Sequence, residues 1–104
     1  MKELSESDIQ TIADYIESFI IDNFESTNQT EKLVIDEAFQ FRGHPYVICA
    51  TGDYEVVDAD FTDDEPTEYR VKQIWLLDVS ITSVSSDETK ILDADVIQGL
   101  INNK

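Results

Sequence analysis

The sequence predicts an α+β domain with the order helix, three strands, helix. The strands form an antiparallel meander, and both helices pack on one face of the sheet. Three observations carry this. Apolar residues recur at helical spacing over Leu4–Phe24. Three later segments alternate apolar and polar residues, the period of a strand with one buried face. A short helical stripe then closes the chain, and segregated helices and strands of this kind give layered α+β packing. With 104 residues and 41% apolar composition, the chain has one modest core and is read as a single domain, residues 1–104.

In the first helix Ile9, Ile12, Ala13, Ile16, Phe19, Ile20 and Phe24 lie on one stripe. Ser5 and Ser7 are both good N-caps. Ser7 has Gln10 three residues on as a capping box, and Ser5 has Leu4 and Ile9 placed as a hydrophobic staple. Asp8 suits the positive end of the helix dipole. Ile21 falls on the polar side, with Asp14, Glu17 and Glu25.

The polar run ESTNQT reads as a loop, and alternation over Lys32–Arg42 reads as the first strand, with Glu37 interrupting its apolar face. Gly43-His44-Pro45 is a turn signal. Tyr46–Val57 is the second strand, in which Gly52 signals a bulge or bend. Asp58–Thr67 reads as an acidic loop closed by Pro66. Glu68–Ile81 is the third strand. Ile74 and Leu76 between Trp75 and Leu77 make its centre apolar on both faces, so a middle strand covered on both sides is expected. Thr82–Glu88 reads as a loop. Asp93 is the expected N-cap of a last helix with the stripe Val96, Ile97, Leu100 and Ile101, weakened by Gly99. A three-stranded sheet keeps two edges, and an edge offers a route to a homodimer.

From Ala50 onward, the Gly52-x-Tyr54 strand end, the acidic segment DDEPTEY, the strand VKQIWLLDVSI and the short terminal helix resemble a group of small phage and prophage proteins. The resemblance implies a mobile-element origin and assigns no activity.

Charge narrows function further. Twenty-three acidic residues against seven basic ones give a net charge of −16. That excludes direct binding to nucleic acid by phosphate neutralisation and an electrostatic anchor on an anionic membrane. One Cys and one His exclude an internal disulfide and a Cys/His zinc site within one chain. Cys49 and His44 stand five residues apart, an odd separation that sends strand side chains to opposite faces and argues against a catalytic dyad. Glu37 is the best-placed carboxyl for acid–base work, yet its position also suits a strand edge. No phosphate-cradling loop or nucleophile elbow occurs, so an enzyme is not expected. No signal-peptide pattern or long apolar run occurs in the N-terminal segment, so a soluble cytoplasmic protein is expected.

The acids are segregated. No Lys or Arg lies between Lys2 and Lys32, or between Arg42 and Arg70. The expected partner surface is therefore the helix face with Asp14, Glu17 and Glu25, together with the loop residues Asp58, Asp60, Asp63, Asp64 and Glu65. The expected partner is a protein with a basic surface. The same field would suit a DNA mimic, similar in kind to phage-encoded anti-CRISPR and anti-restriction inhibitors that occupy a nucleic-acid-binding groove. Asp58, Asp60, Thr62 and Asp64 also imitate the alternating ligands of a calcium loop, which makes weak Ca²⁺ or Mg²⁺ binding a third reading. Asp63 replaces the turn glycine, however, and Tyr69 the bidentate glutamate.

Overall fold

The computed structural model describes residues 4–62 and 65–103, with side chains outside 59–68. The elements are α1 (Glu6–Asn23), β1 (Thr30–Phe41), β2 (His44–Thr62), β3 (Glu65–Ser83), β4 (Thr89–Leu92) and α2 (Ala94–Asn102). The strands form one antiparallel sheet in sequence order, β1-β2-β3-β4, with both helices against the same face. The class is α+β as expected, with one strand more than the sequence suggested. β4 is only four residues long, too short for alternation to reveal it beside a Ser-rich turn.

The helix stripe is the core. Ile12, Ala13, Ile16 and Ile20 of α1 and Ile97 and Ile101 of α2 are fully or almost fully buried. They rest on Leu33, Ile35, Ile48, Val56, Ile74, Val79 and Ile81 of the sheet. Ser5, not Ser7, is the N-cap of α1: the Ser5 hydroxyl accepts from the Asp8 N–H at 3.3 Å, and the Asp8 carboxylate accepts from the Ser5 N–H at 2.9 Å. Aspartate thus completes the capping box. Ile21, expected on the exposed side, is half-buried because it packs against the core beside Tyr69, Arg70 and Val71 of β3.

β1 and β2 are joined by the two-residue turn Arg42-Gly43, with φ of 53° and 76°. Two positive φ values match the twist of a tight hairpin. His44 and Pro45 accordingly belong to β2 and not to the turn. Arg42 is an unusual residue for this conformation. It is held by a two-point ion pair to Asp8, with Nε 3.1 Å from Oδ1 and the second guanidinium nitrogen on Oδ2. The clamp ties the start of α1 to the β1–β2 turn.

Asp8 is largely buried, and the Ser5 backbone N–H, aided by Arg42, holds its carboxyl below the ordinary value of 3.8. A carboxyl whose folded pKa is depressed stabilises the fold above its unfolded pKa and loses that contribution as pH falls through the folded one. Asp8→Asn should therefore be less stable than the parent in urea at neutral pH. The gap should narrow as the pH is lowered below 3.8, toward the depressed folded pKa. A gap independent of pH would refute the role of the ionised clamp.

The β2–β3 pairing carries two register shifts on the body of the sheet, between Thr51 and Gly52 and between Glu55 and Val56. Thr51 faces Asp78 and Gly52 faces Leu76, so Leu77 is the extra residue of one bulge; Lys72 is the extra residue of the other. Each bulge moves β3 by one residue and switches which parity faces the helices. Val71 is buried, then Ile74 and Leu76, then Val79 and Ile81. The apolar centre of β3 therefore reflects this phase change and not cover on both sides: Trp75 and Leu77 are 42% and 72% exposed.

α2 seals the free edge of β3. The Asn102 side-chain amide donates to the Ile74 carbonyl at 3.1 Å and accepts from the Ile74 N–H at 2.9 Å. Gln98 Oε1 accepts from the Leu76 N–H at 2.8 Å. Two amides one helical turn apart thus stand in for the strand that short β4 does not supply, which satisfies backbone groups that would otherwise be left open at the edge.

Candidate acidic interface

α1 ends at Asn23 without a basic residue in its last turn. The partial negative charge of a helix C-terminus favours cations, so Asp22 and Glu25 there are electrostatically adverse. Phe24, just past the helix, packs its ring on Tyr69 of β3 with centroids 5.0 Å apart. That contact brings the end of α1 against the outer part of the long β2–β3 hairpin.

The loop after α1 is fixed by its own hydrogen bonds. The Glu31 carboxylate accepts from the Ser26 N–H at 2.8 Å and from the Glu25 N–H at 3.2 Å, and the Asn28 N–H donates to the Val56 carbonyl at 2.8 Å. An open groove of about 480 Å³ results, lined by Phe24, Glu25, Ser26, Thr27, Asp58 and Tyr69. A second groove beside it carries Glu17 and Asp22 of α1 opposite Tyr69, Arg70 and Val71. Tyr54 registers the local field. Burial first, then Glu31 and Glu25, push its phenol above the ordinary value.

The fold therefore joins three of the acids singled out in the sequence, Glu17, Glu25 and Asp58, at one junction. Asp14 is exposed earlier on α1, where its carboxylate accepts from the Gln10 amide at 2.9 Å. The expected acidic loop is in fact the end of a hairpin. β2 continues to Thr62 and β3 starts at Glu65, so Asp58 and Asp60 are strand residues and Glu65 opens the return strand. Asp63 and Asp64 lie outside the described residues, and so does the last member of the expected metal set Asp58, Asp60 and Asp64. An extended backbone at Asp58 and Asp60 does not wrap a cation as a calcium loop does. Among the described residues no group of three or more His, Cys, Asp and Glu side chains is placed to hold a metal ion.

Cys49 and His44 occupy one continuous stretch of β2 with no register shift between them. Five strand residues separate them by about 17 Å and place them on opposite faces. Burial first, then Asp36, raise the Cys49 thiol above its ordinary value, with Sγ 3.8 Å from the Asp36 carboxylate. That environment keeps the thiol protonated and poorly nucleophilic. Glu37 is exposed on the edge strand β1. Among the described residues no helix is long and apolar enough to cross a membrane.

Asp22, Tyr69 and the two α2 amides were not singled out from the sequence. Asp22 was visible as a misplaced charge at a helix end. Gln98 and Asn102 were visible as amides at i, i+4, but only the neighbouring strand gives that spacing a meaning. Comparison with protein-family models, curated proteins and solved structures finds no match to this chain.

Proposed function

We propose that the chain is a non-enzymatic binding module that recognises a protein with a basic surface. Its contact surface is the junction between the end of α1 and the outer part of the β2–β3 hairpin. The observation that supports this most is the convergence of Glu25 and Asp58, far apart in the sequence, on one groove at an uncompensated helix C-terminus. Carboxylates kept where the helix dipole disfavours them reduce stability. A surface shaped only for solubility has no need to place them there. The net charge of −16 adds long-range steering of a cationic partner.

The variant Asp22→Lys/Glu25→Lys/Asp58→Lys separates binding from folding. The first two changes place cations at the negative end of α1, each stabilising by ~0.3–1 kcal/mol. The variant should therefore unfold at equal or higher urea concentration. It should also lose a protein that the immobilised parent retains from cell lysate at low salt and releases at high salt. Retention unchanged by the three reversals would remove the basis of this reading. Release of the retained protein by added duplex DNA would instead favour mimicry of nucleic acid, since DNA would then compete for the same basic surface.

A further inference from the structure

Among the described residues, no second layer covers the face of the sheet turned away from the helices. An antiparallel sheet with one wet face normally presents polar residues there. Here Val34, Trp75, Leu77 and Ile91 point outward, with exposures of 67%, 42%, 72% and 80%. Their setting follows from the register. Lys32, Asp53 and Trp75 form one row across β1, β2 and β3. Val34, Thr51 and Asp78 form the next. Asp36, Cys49, Ser80 and Ile91 form a third that reaches β4. The apolar groups are thus interleaved with carboxylates. Of the bases that the register puts on this side, Lys72 is bound by Glu55 at 3.4 Å and Arg70 lines the groove beside Glu17 and Asp22 of α1, which leaves Lys32 against Asp36, Asp53 and Asp78.

We infer that this open sheet face is a docking surface for a cationic protein segment carrying apolar side chains, with Trp75 as its anchor. The inference rests on the basic-partner reading above and places a contact on a different face. An arginine is the side chain that satisfies Trp75 and its neighbours together. Its planar guanidinium stacks on the indole while its N–H groups reach a carboxylate. Asp53, directly across from Trp75, supplies one, and Asp78 follows on the same face. Aliphatic residues between the arginines would cover Leu77 and Val34. A second copy of the chain is the poorer occupant, because it would bring Asp36, Asp53 and Asp78 against their own likeness in a molecule of net charge −16.

Trp75 is the sole tryptophan, so its emission reports directly on this face. The probe is a short fluorescein-labelled synthetic peptide of alternating Arg and Leu, titrated at low ionic strength. Anisotropy follows the peptide, and intrinsic emission follows Trp75. Binding should change Trp75 emission saturably with the same midpoint as the anisotropy. Trp75→Ala and Leu77→Ala should each weaken binding about tenfold, a ratio within reach of one desolvated cation–π or apolar contact. Asp53→Asn should weaken it as well, and a peptide of alternating Glu and Leu should not bind. Both apolar variants remove exposed side chains, and unchanged urea midpoints would confirm that they fold. Peptide binding with silent Trp75 emission and full affinity in Trp75→Ala would overturn this site and leave the basic-partner reading standing. No binding at all would overturn this site, while the junction reading would stand or fall on its own charge-reversal test. A sedimenting dimer abolished by Trp75→Ala would make a second copy the occupant and overturn the cationic one.

Discussion

Gly52→Ala should destabilise the protein by about 3 kcal/mol or more, the upper end of the range for forcing atoms into a packed site. A Cβ at Gly52 would stand 2.1 Å from the Trp75 carbonyl oxygen and 3.0 Å from the Leu76 Cα. Both neighbours are backbone, so no side chain can swing aside. The close approach comes from the bulge itself. Leu77 is the unpaired residue there, and the kinked β3 backbone presses onto β2 opposite Gly52. Relieving the clash means moving the bulge, and a one-residue slip would turn the following inward residues of β3 to solvent. Gly99→Ala is the matched control. Its Cβ would meet only the Asn103 side-chain nitrogen at an ordinary 3.8 Å, inside a helix that gains up to ~1 kcal/mol from the change. Urea unfolding of the two variants should therefore give shifts of opposite sign. Equal, small effects would show that the bulge is not packed as described.

Ile74→Ala and Leu77→Ala should differ by several kcal/mol although the two residues lie three apart on one strand. Ile74 is fully buried under the helices, and its backbone is gripped by Asn102. Truncating a buried isoleucine removes transfer free energy and leaves a cavity, ~2–5 kcal/mol in sum. Leu77 is 72% exposed on the open face, where substitutions fall within ~0.5 kcal/mol. Urea midpoints of the two variants measure the difference. A large loss of stability in Leu77→Ala would mean that the outer face is covered within the chain. That would also remove the surface proposed to receive a cationic segment.

These contrasts mark where local pattern stops being informative. Period-two alternation located β1, β2 and β3 because each has one buried face over most of its length. Helical spacing located both helices, and Asp93 caps α2 as its side chain suggested, accepting from the Asp95 N–H at 3.0 Å. The same alternation misjudged the middle of β3, because two bulges interrupt the period and mixed parity imitates a strand buried on both sides. Gly52 was the one visible sign of the first bulge, since a glycine inside a strand marks close backbone approach. The second bulge, at Lys72, has no such marker.

The candidate surfaces divide in the same way. Segregation of acids into an N-terminal helix and a hairpin is a linear property and was legible directly. Their meeting is not. It depends on the Phe24–Tyr69 contact and on a hairpin long enough to reach past the end of α1. The open face depends still more on tertiary structure, because whether Trp75 and Leu77 are core or surface is decided by the register between β2 and β3.

Local pattern and composition suffice for the helices, the three long strands, the antiparallel α+β class, the capped helix starts and the strongly negative field. All of these follow from interactions between residues a few positions apart or from composition. The fourth strand, the amide-sealed edge, the Asp8–Arg42 clamp, the acidic junction and the outward apolar sheet face arise only on folding. Each of these depends on which distant residues the register and helix packing bring together. Local periodicity carries no record of that choice.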